Sequence, residues 1–157
     1  DCIFKGRSKR PPKDAVNAML SFVYTLIASD VTAALETVGL DPYVGFFHTL
    51  RPGRPSLALD MMEELRAYLG DRLVLSLINK RQISIREFIS QGEEGIAMTE
   101  SGRKILLTAW QNRKKETITH PYLEEKIPIG LIPYAQAMLL ARYIRNDLDN
   151  YPVFLIS

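Results

Sequence analysis

Cysteine is nearly absent from this 157-residue sequence, in which Cys2 is the single example. One cysteine excludes an internal disulfide framework and a zinc site built on thiolates, and it fits a reducing compartment. The sequence also has no phosphate-binding glycine loop, no CxxC pair and no nucleophile elbow. No apolar run approaches the roughly 18 residues that span a bilayer, and no signal peptide is recognisable. These absences predict a cytoplasmic protein without a membrane partner.

The net charge of +2 is too small to indicate nucleic-acid binding, but the basic residues are clustered. One cluster is Lys5, Arg7, Lys9, Arg10 and Lys13, and the other is Arg103, Lys104, Arg113, Lys114 and Lys115. Such clusters neutralise DNA phosphates and release counterions. They are also typical of an ordinary solvated helix face. Both interpretations stay open at this point.

Helical spacing of apolar residues over most of the chain predicts an all-α domain of several helices. The predicted helices cover about 14–29, 30–36, 56–70, 71–79, 101–116 and 133–148, with a short helical turn from Asp41. Asp14, Asp30 and Asp71 are expected to cap three of them. The first helix carries a polar stripe of Asp14, Asn17, Ser21, Tyr24 and Thr25, which faces either solvent or another element.

Residues 82–99 break the helical pattern. Ile83, Ile85 and Phe88 indicate a short strand, a glycine-containing turn follows at 91–95, and 96–98 form a returning strand. The predicted fold class is therefore all-α, a mainly helical multi-helix domain, with a small β-hairpin insert.

One stretch of the sequence has residues suited to phosphodiester chemistry. Asp60 and Glu63 are an i, i+3 pair on the predicted helix, so their carboxylates share a face, and His48 precedes them across a turn. One imidazole and two carboxylates form a possible ligand set for Mg²⁺ or Mn²⁺. Arg51 and Arg54 are placed to hold phosphates.

Ordinary structural roles explain the same residues. Carboxylates opposite an apolar stripe are usually solvated, and a histidine that follows two phenylalanines is often packed and hydrogen-bonded. Spacing alone therefore leaves the metal site as one of two interpretations. For His120 the favoured interpretation is a loop histidine that satisfies nearby backbone groups.

Several long runs of the sequence resemble the CRISPR-associated protein one family, most closely its type I-C subgroup. They are RPPKDAVNAMLSF (10–22), VGLDPYVGFFH (38–48), RPGRPSLALDMMEE (51–64), WQNRKKE (110–116), His120-Pro121, Gln136-Ala137 and LLAR (139–142). The resemblance extends over nearly the whole chain. It implies a metal-dependent endonuclease and integrase that inserts captured DNA into a CRISPR array. The implied partners are DNA, a second copy of the protein and CRISPR-associated protein two.

The resemblance also implies a domain assignment and residue roles. Residues 1–157 correspond to the C-terminal α-helical catalytic domain of a longer protein, without the family's N-terminal β domain. His48 matches the metal-binding histidine, Asp60 the first acidic position on the following helix, and Glu63 a second acid of many members. The family's remaining glutamate ligand lies upstream of the proline pair, in a segment not present here. The 157 residues alone are therefore expected to be a poor or inactive nuclease.

A second interpretation is a non-catalytic module that binds DNA through Arg113, Lys114 and Lys115, and a third is a dimerisation domain. The interpretations differ in metal dependence. Strand transfer needs His48 and Asp60, whereas backbone binding persists in EDTA and weakens with salt.

Overall fold

Five α-helices and two short antiparallel hairpins form the part of the chain that the computed structural model describes, residues 12, 14–47 and 52–156. The helices are α1 (Ala15–Thr37), α2 (Ser56–Leu65), α3 (Arg72–Asn79), α4 (Glu100–Lys115) and α5 (Ile132–Ile144). The strands are β1 (Phe88–Ser90), β2 (Ile96–Met98), β3 (Thr117–Thr119) and β4 (Lys126–Pro128). The predicted fold class, a mainly helical domain with a β insert, is confirmed.

The central element is α1, which contacts α2, α3, α5 and β2. Asp14 caps it as predicted, because its Oδ1 accepts the backbone N–H of Asn17 at 2.8 Å. The predicted break at Asp30 is wrong. No glycine or proline interrupts residues 15–37, and the buried apolar face continues through Val31 and Leu35. Asp30 lies within the helix and pairs with Lys114 Nζ at 2.7 Å.

The length of α1 corrects one statement drawn from the sequence. By length and composition this helix could cross a membrane, whereas the sequence pattern indicated no run that approaches that size. A buried core helix passes the same test. Met19, Val23, Ile27 and Val31 are fully buried against neighbouring elements, and this packing accounts for the apolar composition.

Residues 56–79 form one uninterrupted helical rod rather than the two predicted helices. A single wide turn with π-helical hydrogen bonding, Arg66–Asp71 (the π turn), joins α2 to α3. Gly70 permits close packing there, since a Cβ at this position would lie 2.9 Å from Tyr24 Cε1. Asp71 keeps helical dihedrals and makes no cap bond. Its carboxylate instead accepts the Tyr24 hydroxyl at 2.5 Å.

The predicted hairpin is present, with a shorter first strand. β1 pairs with β2 in the register Phe88 to Met98, while Ile85–Glu87 form a 3₁₀ turn and Ile83 is buried. A second hairpin, β3 with β4, was not predicted. Each of its strands has a single isoleucine, Ile118 or Ile127, so the sequence has no alternation of apolar residues to recognise there.

The helix predicted at about 101–116 is present as α4, and its buried face consists of Leu106 and Trp110, with Ile105 and Ala109 partly buried beside them. The last helix ends at Ile144, earlier than the predicted 148. Asn146 adopts a positive φ of 61° and donates to the Tyr143 carbonyl, which stops the helix. The chain then turns back, so residues 151–156 pack against the domain.

Candidate metal and nucleic-acid site

Asp60 fixes the backbone of the segment that leads to residue 48. Asp60 lies in the second turn of α2, and its Oδ2 accepts the backbone N–H groups of Phe46 at 2.6 Å and Phe47 at 2.9 Å. Hydrogen bonds to a charged acceptor are about twice as strong as neutral ones. Phe47 itself is 91% exposed, so these bonds rather than side-chain packing hold its backbone. His48 and Arg51 lie outside the described residues.

Gly45 is required for this close approach. A Cβ at Gly45 would lie 2.7 Å from Asp60 Oδ2 and 2.7 Å from both the carbonyl carbon and the Cβ of Ser56. Two further bonds bring the preceding segment to α2, since the Pro42 carbonyl accepts the N–H groups of Leu57 and Ala58. The segment therefore lies directly on the N-terminal end of α2, in place of the helical turn predicted from Asp41.

Glu63 points to an arginine in this structure. Both of its carboxylate oxygens accept from Nη1 of Arg66, at 2.6 and 2.7 Å, and Glu63 is half exposed. The Arg66 guanidinium also lies over the Tyr24 ring, 4.4 Å from the centroid. Tyr24 and Asn17 of the polar stripe are buried, so this part of the stripe faces other elements, whereas Thr25 is exposed.

Asp60 and Glu63 line the same pocket of about 440 Å³. The other lining residues are Phe46, Phe47, Leu57, Met61, Glu64, Leu140, Tyr151 and Val153. The lining therefore has three carboxylates, Asp60, Glu63 and Glu64, and carboxylate oxygens are the ligands that hard divalent cations prefer. Within residues 12, 14–47 and 52–156, no group of three or more His, Cys, Asp or Glu side chains could hold a metal ion.

Glu64, not singled out from the sequence, is the most connected carboxylate of the region. It accepts hydrogen bonds from the Tyr151 hydroxyl, from the Phe154 backbone N–H at 2.8 Å and from Gln136 Nε2 at 3.3 Å. Burial raises the pKa of Glu64, and these hydrogen bonds offset only part of that effect. Glu64 thereby attaches the C-terminal segment to α2, and no local sequence signal predicts a partner 87 residues away.

His120 is buried and satisfies nearby backbone groups, as its favoured interpretation predicted. Its Nδ1 accepts the N–H groups of Tyr122 and Leu123, both at 3.3 Å. Its Nε2 therefore carries the proton, and it donates to Gln136 Oε1 at 3.0 Å. Burial lowers the pKa of His120, with the Gln136 bond acting in the opposite direction. This histidine joins the Glu64 network through Gln136.

The predicted DNA-binding residues occupy three different environments. Arg54 is half-buried in the turn before α2. Arg113 and Lys114 are engaged internally, Arg113 with Glu116 at 2.5 Å and Lys114 with Asp30. Lys115 is exposed. None of these four residues lines the pocket that contains Asp60 and Glu63.

Comparison with known proteins gives a family match. The family model described as CRISPR associated protein Cas1 matches residues 1–112. The CRISPR-associated endonuclease Cas1 1 of Chlorobaculum tepidum is 59% identical over 152 residues. The alignment covers 97% of this chain and 44% of that protein, so the chain spans less than half the length of this relative.

Two solved structures have the same arrangement of helices. One, described as casposase bound to integration product, superposes with a TM-score of 0.87 at 23% identity, over 98% of this chain and 46% of that chain. Its low identity limits the similarity to the fold. The other, described as the Cas6-RT-Cas1–Cas2 complex, has a TM-score of 0.82 at 25% identity, over 99% of this chain and 17% of that chain.

Proposed function

The chain belongs to the CRISPR associated protein Cas1 family, and on that premise we propose that it is the α-helical part of a longer DNA endonuclease and integrase of CRISPR spacer acquisition. The endonuclease name of a relative with 59% identity supports the activity. The assignment to a C-terminal catalytic domain of the type I-C-like subgroup, acting in the cytoplasm, belongs to the same proposal. It is supported by the runs of sequence in which the resemblance lies.

The proposed metal site consists of His48 and Asp60, with Glu63 as a third ligand, and takes Mg²⁺ or Mn²⁺. The observation that carries it is the pair of hydrogen bonds from Phe46 and Phe47 to Asp60, which fix the chain immediately before His48 beside α2. A carboxylate presents about four lone-pair positions, so these bonds are compatible with metal ligation by the same group. When bound, such an ion polarises the phosphodiester and stabilises the attacking and leaving oxygens.

The residues of the proposed site have defined tasks. Asp60 supplies negative charge and holds the backbone of the segment that precedes residue 48. Arg51 and Arg54 hold backbone phosphates. The Arg66 guanidinium would repel a cation bound at Glu63. Metal ligation by Glu63 therefore requires that its ion pair with Arg66 breaks.

The 157 residues alone are proposed to be a poor or inactive nuclease. Ligand number and charge set the affinity of a protein for hard cations. Glu63 is paired with Arg66 in the structure, and this arginine competes with a cation for the same carboxylate. A further carboxylate from outside this chain would raise the affinity. Metal-dependent cutting by the purified chain would contradict this part of the proposal.

The proposed partners are DNA, a second copy of the protein and CRISPR-associated protein two. The similar Cas6-RT-Cas1–Cas2 complex supports the last of these, since a chain of that complex resembles this chain over nearly its whole length. DNA follows from the endonuclease activity of the relatives.

The alternative function is a non-catalytic DNA-binding or dimerisation module. The ion pair between Glu63 and Arg66 favours it, because a paired carboxylate on a helix surface needs no metal to explain its presence. The two functions differ in whether Asp60 is required for metal binding.

The test uses the full-length protein with its small partner and measures insertion of a short DNA duplex into a supercoiled plasmid, with Mn²⁺ or EDTA. Wild type is compared with His48→Ala, Asp60→Ala and Asp60→Asn, and Glu36→Ala is the control for loss of an exposed carboxylate on α1. Asparagine keeps an oxygen that accepts the Phe46 and Phe47 N–H groups but removes the charge.

We expect loss of insertion and of Mn²⁺ binding in all three site variants, with DNA binding retained. Asp60→Asn separates ligation from positioning of the segment. Undiminished insertion by Asp60→Asn would assign Asp60 a positioning role only. Undiminished insertion by all three variants would favour the non-catalytic module.

A further inference from the structure

A groove with four basic residues in its walls runs between α3 and α4, and it shares no lining residue with the Asp60 pocket. It consists of two adjoining cavities of about 500 and 520 Å³, which share Leu77, Gln82, Ala109 and Asn112 in their walls. The first cavity reaches from Arg72 to Glu116, and the second continues along α4 to Ser101. The basic cluster identified in the sequence includes two residues of this groove, Lys104 and Arg113, but not Arg72 or Lys80.

The walls of the groove are strongly basic. Arg72, Lys80, Lys104 and Arg113 contribute four cations. Against them, Glu116 is the only carboxylate of the lining in the part of the chain described, and it is paired with Arg113. The remaining polar lining consists of neutral donors and acceptors: Ser76, Gln82, Ser101, Thr108 and Asn112. Arginine, lysine, serine, threonine, asparagine and glutamine are the side chains that contact phosphate and sugar oxygens in protein–DNA interfaces.

Two of the cations are held in place by one aromatic ring. The guanidinium carbons of Arg72 and Arg113 lie 4.8 and 5.2 Å from the centroid of Tyr68. Tyr68 is fixed in turn by an edge contact with Phe154, 5.7 Å between centroids. Stacking restricts the rotamers of both arginines, so less conformational entropy is lost when they bind an anion.

Arg113 also has hydrogen-bonding capacity that the fold does not use. Its Nη1 donates to Glu116, but its buried Nε finds no hydrogen-bond partner among the described residues. A buried donor without a partner is uncommon and costs free energy. A small rotation of the guanidinium toward an incoming oxygen would satisfy this donor.

We propose that this groove binds the sugar–phosphate backbone of a DNA strand, without a metal ion. Arg72 and Lys80 lie eight residues apart, or about 12 Å along a helix at 1.5 Å per residue. That length corresponds to roughly three to four nucleotide steps at a rise of 3.4 Å. The choice of DNA, rather than an acidic protein surface, rests on the proposed function together with this charge complementarity.

The test is fluorescence anisotropy of a short labelled DNA duplex with the full-length protein, in EDTA, over a series of salt concentrations. The test variant is Arg72→Gln/Lys80→Gln, and the control is Arg145→Gln, which removes an exposed cation at the end of α5. Lys80→Gln alone is the second test variant, because Lys80 is exposed and its loss leaves the core intact. Circular dichroism checks that each variant is folded.

Loss of two phosphate contacts is expected to reduce the slope of log K against log salt by about 1.8. From about 50 to about 200 mM salt, wild type should therefore lose about tenfold more affinity than the double variant. Lys80→Gln should show about half of that change in slope, and Arg145→Gln none. Equal slopes for wild type and both groove variants would overturn the proposal. Displacement of the labelled DNA by an acidic polypeptide but not by unlabelled DNA would also overturn it.

This outcome is separable from that of the metal site. DNA binding in EDTA does not involve a metal ion at Asp60. If the groove variants bind DNA like wild type while insertion still requires Asp60, only the groove proposal is rejected. Normal groove binding with insertion that is independent of Asp60 would reject only the metal site.

Discussion

Substitution of Gly45 by alanine is expected to displace the segment before His48 from α2. The new Cβ would lie 2.7 Å from the Ser56 carbonyl carbon, which belongs to the first residue of a helix and has little freedom to move. The same Cβ would lie 2.7 Å from Asp60 Oδ2, the atom that accepts the Phe46 and Phe47 N–H groups. The clash therefore acts on the contact that holds the segment.

The free energy cost of Gly45→Ala cannot exceed the free energy that the segment loses when it detaches from α2. Each hydrogen bond to a charged acceptor contributes about 1.5–3 kcal/mol, but a displaced surface segment regains hydrogen bonds with water. Overpacking of one methyl group costs about 1–3 kcal/mol where the surroundings cannot relax. We adopt about 1–3 kcal/mol, which reduces the docked population by a factor of roughly 5 to 150.

Two measurements check this prediction. Urea unfolding of Gly45→Ala should show a loss of stability of about 1–3 kcal/mol or less, since the segment can detach while the core stays folded. Mn²⁺ affinity and insertion by the full-length protein should fall by the same factor as the docked population, roughly 5 to 150. Val44→Ala, the neighbouring exposed position, is the matched control and should change neither. Wild-type stability together with wild-type Mn²⁺ affinity in Gly45→Ala would refute the reasoning.

Two more predictions concern α2. Arg66→Gln releases Glu63 from a partly exposed ion pair, so Mn²⁺ should bind about two- to fivefold more tightly, for a pair contributing about 0.5–1 kcal/mol. Titration calorimetry should show this gain in full-length protein but not in the Glu63→Gln background, and an equal gain in both would contradict it. Burial raises the pKa of Glu64 in the folded chain, so its stabilising effect is complete below the ordinary glutamate pKa and is lost as pH rises through the raised value. Glu64→Gln should lack this decline in urea unfolding measured from about pH 4 to 7, and an unchanged pH profile would show that Glu64 is not responsible.

The elements predicted correctly are those specified by local sequence. Asp14 caps α1 through a bond to the backbone three residues away, and Leu106 and Trp110 of α4 are buried at helical spacing. The hairpin at 88–98 has enough strand-forming residues on both sides of its turn to be recognised. In each case the determining contact lies within a few residues along the chain.

The features that sequence did not predict depend on distant contacts. Asp30 resembles a helix cap, yet its side chain pairs with Lys114, which is 84 residues away, and α1 continues past it. Glu63 was selected for the metal site because it shares a face with Asp60. It also shares a face with Arg66, and periodicity does not decide between these neighbours. Two partners of Glu64, Tyr151 and Phe154, belong to the segment that follows Asn146, and the third, Gln136, lies 72 residues away on α5.

The π turn determines the rotation of α3, which carries Arg72, relative to α2, which carries Asp60. A π turn contains one residue more than an α turn, and each helical residue rotates the chain by about 100°. Removal of one residue from this turn would swing the Arg72 side of α3 by that angle while α2 stayed in place. Asp60 and Arg72 are twelve residues apart, about 18 Å of helix. The π turn therefore sets the angle between the face of α2 that carries Asp60 and the face of α3 that carries Arg72.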